Sequence, residues 1–236
     1  MLRKRIDALA KQFGTQTLLE VLESQLTDRR CALISQRTSQ RLNSIQVAME
    51  APCDLHNVLA ASRSCEAFGL RSLHIIAAEG KVSRGKKTAR GSYRWIEIQR
   101  HEDLQAFWQY QAGGDWVYAA SDPTAKLTLE ELPVDRPICL LFGNEERGLS
   151  SAARAHCQLQ YRIPMWGMAE SLNLSVSVAL STYEIVKRRR HYLGTEGDLS
   201  DNEQKLEILW GYIRTLGVEK SRLFLKNGLQ VTDIEL

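Results

Sequence analysis

Short apolar runs alternate with amphipathic stretches through the middle of this chain, and that alternation restricts the fold more than any other feature. Ile45-Gln46-Val47-Ala48-Met49 is the first run; Pro52 then forces an exit, and a helix is expected to begin near Asp54 or Asn57, whose side chains cap helix starts. The pattern returns as Ser72 to Ala77 (strand), Asp103 to Tyr110 (helix), Trp116 to Ala120 (strand), Ile138 to Phe142 (strand), Ser150 to His156 (helix) and Tyr161 to Pro164 (strand). A last helix follows Ser171 and closes the domain near Arg190. Strands separated by helices predict an α/β fold, with a parallel sheet covered by helices on both faces.

The flanks read differently. Ile6, Leu9, Ala10, Phe13, Leu18, Leu19, Val21 and Leu22 recur at helical spacing, and Gly14-Thr15 divides them into two helices. Asp201 to Thr215 predicts another amphipathic helix, while Leu223 to Leu236 carries no readable pattern. The expected division is a helical N-terminal extension at 1–43, a catalytic domain at 44–190 and a helical C-terminal extension at 191–236. One main domain suits 236 residues of which 44% are hydrophobic.

Charge is balanced overall, at a formal +3, but unevenly placed. From Met1 to Arg41 eight Lys or Arg face four Asp or Glu, and from Lys81 to Arg100 seven face one, whereas from Tyr192 onward five face eight. Clustered positive charge favours a polyanionic partner, because Lys and Arg release counterions from phosphates; a merely solvated face is the bland alternative. Five cysteines without a C-x-x-C pair make no complete disulfide framework, which fits a reducing cytoplasm. No apolar run approaches the roughly 20 residues needed to cross a bilayer, and the charged start MLRKRIDALAKQF has no apolar signal core, so a soluble, unexported protein is expected. The five histidines are scattered without metal-ligand spacing, and no metal is expected.

Three segments stand out because polar and glycine residues occupy places where an ordinary core would be apolar: Asn57 to Gly69, Phe142 to Gly148, and Ile163 to Glu184. Ligands of open α/β sheets gather at the carboxyl ends of strands, and each segment follows a predicted strand, so the three are expected to converge. Gly143 and Gly148 flank Glu145 and Glu146 in a turn where missing side chains would let backbone N–H groups approach a ligand; a plain strand-to-helix turn is the alternative. Neither G-x-G-x-x-G nor the P-loop pattern occurs, which leaves dinucleotide and nucleoside-triphosphate sites without support.

In order, N-x5-R-x5-G (Asn57, Arg63, Gly69), G-N-E-x-x-G (Gly143 to Gly148) and an I-P-M-x-G-x-x-x-S-L-N-x-S-V-A-like stretch (Ile163 to Ala179) resemble the motifs of SPOUT-class RNA 2′-O-ribose methyltransferases. Within that class the chain is most similar to the TrmH tRNA (guanosine-2′-O)-methyltransferases, over roughly residues 28 to 215, including a Thr88, Gly91-Ser92, Trp95 pattern. The resemblance implies a SPOUT fold whose C-terminal part threads into a trefoil knot that forms an S-adenosylmethionine pocket, and a homodimer with the knots packed together. It implies methylation of a ribose 2′-hydroxyl, that of the D-loop guanosine at tRNA position 18; a ribosomal-RNA methyltransferase of the same class, or a non-catalytic RNA-binding protein on the same scaffold, are the alternatives.

By carry-over from the family, Arg63 is the catalytic arginine, Asn57 helps to position it or the substrate, and Glu145, Ser171 and Asn173 are the polar residues around them. Two roles stay open for Arg63: a general base enabled by an RNA phosphate and a local network, or a cation clamping that phosphate, since guanidinium is normally protonated. The cofactor positions are Ala120, Gly143, Ile163, Met165, Gly167, Met168 and Leu172, with backbone groups bonding adenine and ribose while Met and Leu pack the ring. RNA binding falls to Arg29, Arg30, Arg37 and Arg41 on the helix before the first strand, and to Lys86, Lys87 and Arg90 beyond the second. Asp54-Leu55 stands where the family often has Lys-Pro, and the terminal extensions pass beyond the matching region; both bear on the choice of RNA rather than on the chemistry.

Overall fold

The structure, a computed structural model, describes residues 2–77 and 94–236. In chain order the described elements are helices α1 (Leu2–Phe13), α2 (Thr15–Glu23) and α3 (Asp28–Ser39), then β1 (Ile45–Glu50), α4 (Leu55–Ala67), β2 (Ser72–Ile76), β3 (Glu97–His101), α5 (Leu104–Gln111), β4 (Val117–Ser121) and β5 (Leu127–Thr128). A 3-10 turn at Leu129–Glu131 leads to β6 (Ile138–Phe142), α6 (Ser151–His156), β7 (Leu159–Arg162), α7 (Leu174–Leu193), α8 (Asp201–Leu216) and α9 (Val218–Leu229). These elements form two compact units, one of residues 42–195 and one of residues 1–41 with 196–236.

The unit of residues 42–195 is built on a seven-stranded sheet in the order β3-β2-β1-β6-β4-β7-β5. Every pairing is parallel, with Val47 opposite Leu73 on one side of β1 and Leu140 on the other. Successive side chains of a strand point to opposite faces, and the sequence uses both. Val47, Met49, Leu73, Ile75, Leu140 and Phe142 join a core with Val58, Ala61 and Cys65 of α4 and Val178, Ile185 and Val186 of α7. Their neighbours Ala48, Ile76, Cys139 and Leu141 pack instead against Phe107 of α5 and Ala153 of α6. A sheet covered on both faces is the arrangement that the strand and helix alternation predicts.

Where strands and helices fall differs from expectation in a few places. The apolar pattern does not predict β3 or the two-residue β5, since Glu97-Ile98-Gln99-Arg100-His101 is largely polar and lies at the sheet edge. β7 starts two residues before Tyr161 and ends before Ile163. α7 runs past Arg190 to Leu193, where Gly194 adopts a left-handed φ of 66° that ends the helix.

In the other unit α2 and α3 each pack on α8, and α9 packs on α2. Arg3 forms a two-pronged ion pair with the buried Glu207 and stacks over the Trp210 ring, 4.5 Å from its centroid. Among the described residues no helix is long and apolar enough to cross a membrane.

Candidate active site

Three loops meet beyond the carboxyl ends of β1, β6 and β7. Asp54 caps α4 by accepting from His56 N at 2.7 Å, which puts Asn57 in the first turn of that helix. Asn173 caps α7 by accepting from the backbone N–H of Ser175 and Val176. The two helices lie side by side, so their N-terminal turns carry both asparagines to the same edge of the sheet. Between them projects Glu145 from the loop after β6: Asn57 Nδ2 donates to Glu145 Oε1 at 2.8 Å, and Asn173 Nδ2 donates to Asn57 Oδ1 at 3.0 Å.

The direction of this chain of bonds follows from chemistry. An ionised carboxylate only accepts, so Asn57 must turn its NH2 toward Glu145 and its oxygen toward Asn173. Asn173 then donates to that oxygen and keeps its own oxygen for the α7 N–H groups, which need an acceptor. The second Glu145 oxygen, Oε2, accepts from Cys53 N at 2.9 Å, just ahead of α4. Burial pulls the Glu145 carboxyl upward, but the Cys53 N–H and Asn57 bonds, with the backbone N–H groups of Glu145 and Asp54, outweigh it and hold the group below its ordinary value. A carboxylate at a helix N-terminus is also favoured by the helix dipole.

The turn around Glu145 owes its glycines to geometry. A Cβ on Gly143 would lie 2.0 Å from Gly148 C and Leu149 N, so this glycine lets two stretches of backbone meet rather than making room for a ligand. Gly148 has φ 67°, a conformation in the left-handed region that side-chain-bearing residues avoid.

Beside this network lies a cleft of about 550 Å³, a size that suits a small-molecule ligand. Apolar lining comes from Phe142, Ile163, Met165 and Leu172, and polar lining from Ser121, Ser171, Ser177 and Asn173. Glu145, Glu146 and Glu170 also line it, with no Lys or Arg among the described lining residues. Such a cleft can hold a flat apolar ring with hydroxyls and a positively charged group.

Of the residues singled out for a cofactor, Gly143, Ile163, Met165 and Leu172 line this cleft. Ala120 is fully buried one residue before the lining Ser121, Gly167 faces open space, and Met168 is 100% exposed beside Trp166 at 93%. Of the catalytic set, Glu145, Ser171 and Asn173 line the cleft and Asn57 is bonded to two of them. Arg63 lies six residues beyond Asn57 on α4, about 9 Å along the axis and on another face. It is exposed, and no hydrogen-bond or ion-pair partner of it occurs among the described residues.

Arg29, Arg30 and Arg37 are exposed on α3, whereas Arg41, just past its end, is buried at 7%. Lys86, Lys87 and Arg90 lie outside the described residues, as do Thr88, Gly91 and Ser92. Sequence reasoning missed Cys53, Asn144 and Glu170. Asn144 was visible inside G-N-E-x-x-G, but an asparagine between glycines reads as a turn former.

The family described as SpoU rRNA Methylase matches residues 44–183, the span that contains the sheet and all three loops. The chain belongs to the SpoU methylase family. A tRNA (guanosine(18)-2′-O)-methyltransferase of Thermus thermophilus is 32% identical over 164 residues, covering 69% of this chain and 84% of that protein. Among solved structures, the A. aeolicus TrmH/SpoU tRNA modifying enzyme superposes with a TM-score of 0.67 at 28% identity, over 78% of this chain and 96% of that one. The SpoU methyltransferase AviRb from Streptomyces viridochromogenes, in complex with AdoMet, gives 0.56 at 27% identity, over 62% and 60%. SpoU membership assigns methyl transfer to RNA as the chemistry of this chain.

Proposed function

We propose that this chain methylates the ribose 2′-hydroxyl of guanosine 18 in tRNA, using S-adenosylmethionine. The observation that carries the reading is the Glu145–Asn57–Asn173 chain of bonds, which ties two helix starts to the rim of a cleft in a chain similar to tRNA (guanosine(18)-2′-O)-methyltransferases. The cleft fits the cofactor: Phe142, Ile163, Met165 and Leu172 suit adenine, Ser121 and Ser177 suit hydroxyls, and the Glu146 and Glu170 carboxylates suit a sulfonium and an ammonium. When bound, S-adenosylmethionine supplies an electrophilic methyl group on a positively charged sulfur.

The protein residues orient the ribose. Glu145 has both oxygens engaged and serves as the anchor that aims Asn57, while Ser171 and Asn173 offer polar groups toward the ribose at the cleft. Arg63, exposed and without a carboxylate partner among the described residues, is suited to clamp the phosphate beside the reacting ribose. Holding both reactants in line can supply much of the rate enhancement.

The finer parts of the reading follow. Arg29, Arg30 and Arg37, with the basic segment that contains Lys86, Lys87 and Arg90, grip the RNA backbone, and the segments at 1–43 and 191–236, which flank a catalytic domain at 44–190 in sequence, add to that grip. A second copy of the chain covers α7, where Val176, Leu180 and Tyr183 are exposed at helical spacing on one side. A trefoil knot in the stretch from β7 into α7 and a cytoplasmic setting belong to the same reading. Incubation with methyl-labelled S-adenosylmethionine and separated tRNA and ribosomal RNA tests it: label in tRNA is expected. Label confined to ribosomal RNA would replace the substrate, and label in neither would remove the activity.

A further inference from the structure

We propose that Asn144 is a positioning residue for methyl transfer: its side-chain amide fastens the loop after β1 to the loop after β6, and this holds Glu145, and through it Asn57, at the cleft. The inference rests on the methyltransferase reading and names a residue that acts through Glu145 rather than on the substrate.

Asn144 uses its whole amide. Nδ2 donates to Ala51 O at 2.7 Å and contacts Cys53 Sγ at 2.8 Å, while Oδ1 accepts from Glu146 N at 2.8 Å and Arg147 N at 3.1 Å. Its backbone exchanges two further bonds with Gly148, N to O at 3.0 Å and O to N at 2.9 Å. Two donors and two acceptor sites are all that an amide side chain has. One half folds the turn that presents Glu145, and the other half reaches across to the β1 loop.

The β1 loop needs such a tether. Ala51 has φ 44°, a left-handed conformation for a residue with a Cβ, and such conformations cost about 1–3 kcal/mol and persist where their surroundings fix them. Ala51 N donates to Ile76 O at 2.8 Å on one side, and its carbonyl accepts from Asn144 on the other, so both peptide groups are pinned. Two residues later Cys53 N donates to Glu145 Oε2. The result is a closed loop of bonds: Asn144 sets Ala51, Ala51 sets the direction of Cys53, and Cys53 sets the carboxylate next in sequence to Asn144. Asn57 takes its orientation from that carboxylate.

Asn144→Asp keeps an acceptor for the Glu146 and Arg147 N–H groups but removes the donor to Ala51, so the turn survives and the tether does not. With tRNA as substrate, kcat is expected to fall roughly 10- to 100-fold, the scale of an ångström-sized misplacement, with the dissociation constant for S-adenosylmethionine changing by a clearly smaller factor, since Asn144 also lines the cleft but has its whole amide engaged elsewhere. Because Asn144 acts through Glu145, Asn144→Asp combined with Glu145→Gln should lose little more than the worse single variant. Losses that multiply, or a cofactor affinity that falls in step with kcat, would overturn the proposal. Should Asn144→Asp fail to fold, Asn144→Ser, which adds no charge, carries the same comparison. Hydrogen exchange at the Cys53 amide gives a readout independent of turnover: faster exchange in the variant is expected, and unchanged exchange would overturn the tether. Absence of methyl transfer by the unaltered protein to any RNA would instead overturn the functional reading, and Cys53 exchange would then decide the tether alone.

Discussion

Asn57 and Arg63 share a helix yet meet different surroundings, one bonded on both sides and the other open to solvent. Replacing Arg63 by Ala should abolish methyl transfer while S-adenosylmethionine still binds, measured by single-turnover transfer beside equilibrium binding; retained turnover would remove Arg63 from the site. The Glu145 carboxyl lies below its ordinary value because its hydrogen bonds outweigh its burial. Its ionised form therefore stabilises the folded loop above the ordinary carboxylate range, and that contribution fades as pH falls through the lowered value. Asn57→Ala removes one donor, so a carbon-13 titration of Glu145 should move upward in that variant, and an unmoved titration would show that the bond is not formed in solution. Resemblance of the sequence motifs to the SPOUT class named Asn57, Glu145, Ser171 and Asn173. It did not reveal that Asn173 also caps α7, or that Gly143 serves a backbone crossing, because both facts depend on which loop lies opposite.

At the scale of elements, β2 and β3 carry a pair of histidines with His74 Nδ1 and His101 Nε2 3.0 Å apart, packed against Phe107 of α5. Burial, with a smaller contribution from His101, lowers His74 to about 3, so the folded protein keeps it neutral. The unfolded chain takes up that proton near the ordinary histidine value of about 6.5, and stability should fall as pH drops from there toward the lowered value. His74→Leu should flatten this slope, read as denaturant midpoints at pH 7 and pH 5; equal slopes would contradict the assignment. Interior strands such as β6, with all five residues buried, were legible because an apolar run needs no context. β3 was not, since an edge strand can carry Glu97, Gln99 and Arg100 half in water. α9 was not legible because Leu223 to Leu236 shows no apolar pattern; within it Gly228 lies where a Cβ would come within 2.6 Å of Val21 on α2, so it permits close helix packing.

At the scale of the whole molecule, residues 1–41 and 196–236 fold into one unit, held in part by Arg3 and Glu207. Arg3→Ala would remove the two bonds that Arg3 makes to the buried Glu207 and its stacking on Trp210, and should lower the unfolding midpoint of that unit; an unchanged midpoint would show that the pair is not maintained. Arg29, Arg30 and Arg37, if they grip phosphates, should each weaken tRNA binding when changed to Ala and lower the salt slope by about one. Clustered charge made these arginines legible as a group, but burial of Arg41 was not, because charge counting does not see the fold. The most direct test of the central reading uses two tRNA transcripts that differ only at position 18, one with guanosine and one with 2′-deoxyguanosine, incubated with methyl-labelled S-adenosylmethionine. Label in the first and none in the second is expected; equal label in both, or none in either, would contradict methylation of that ribose.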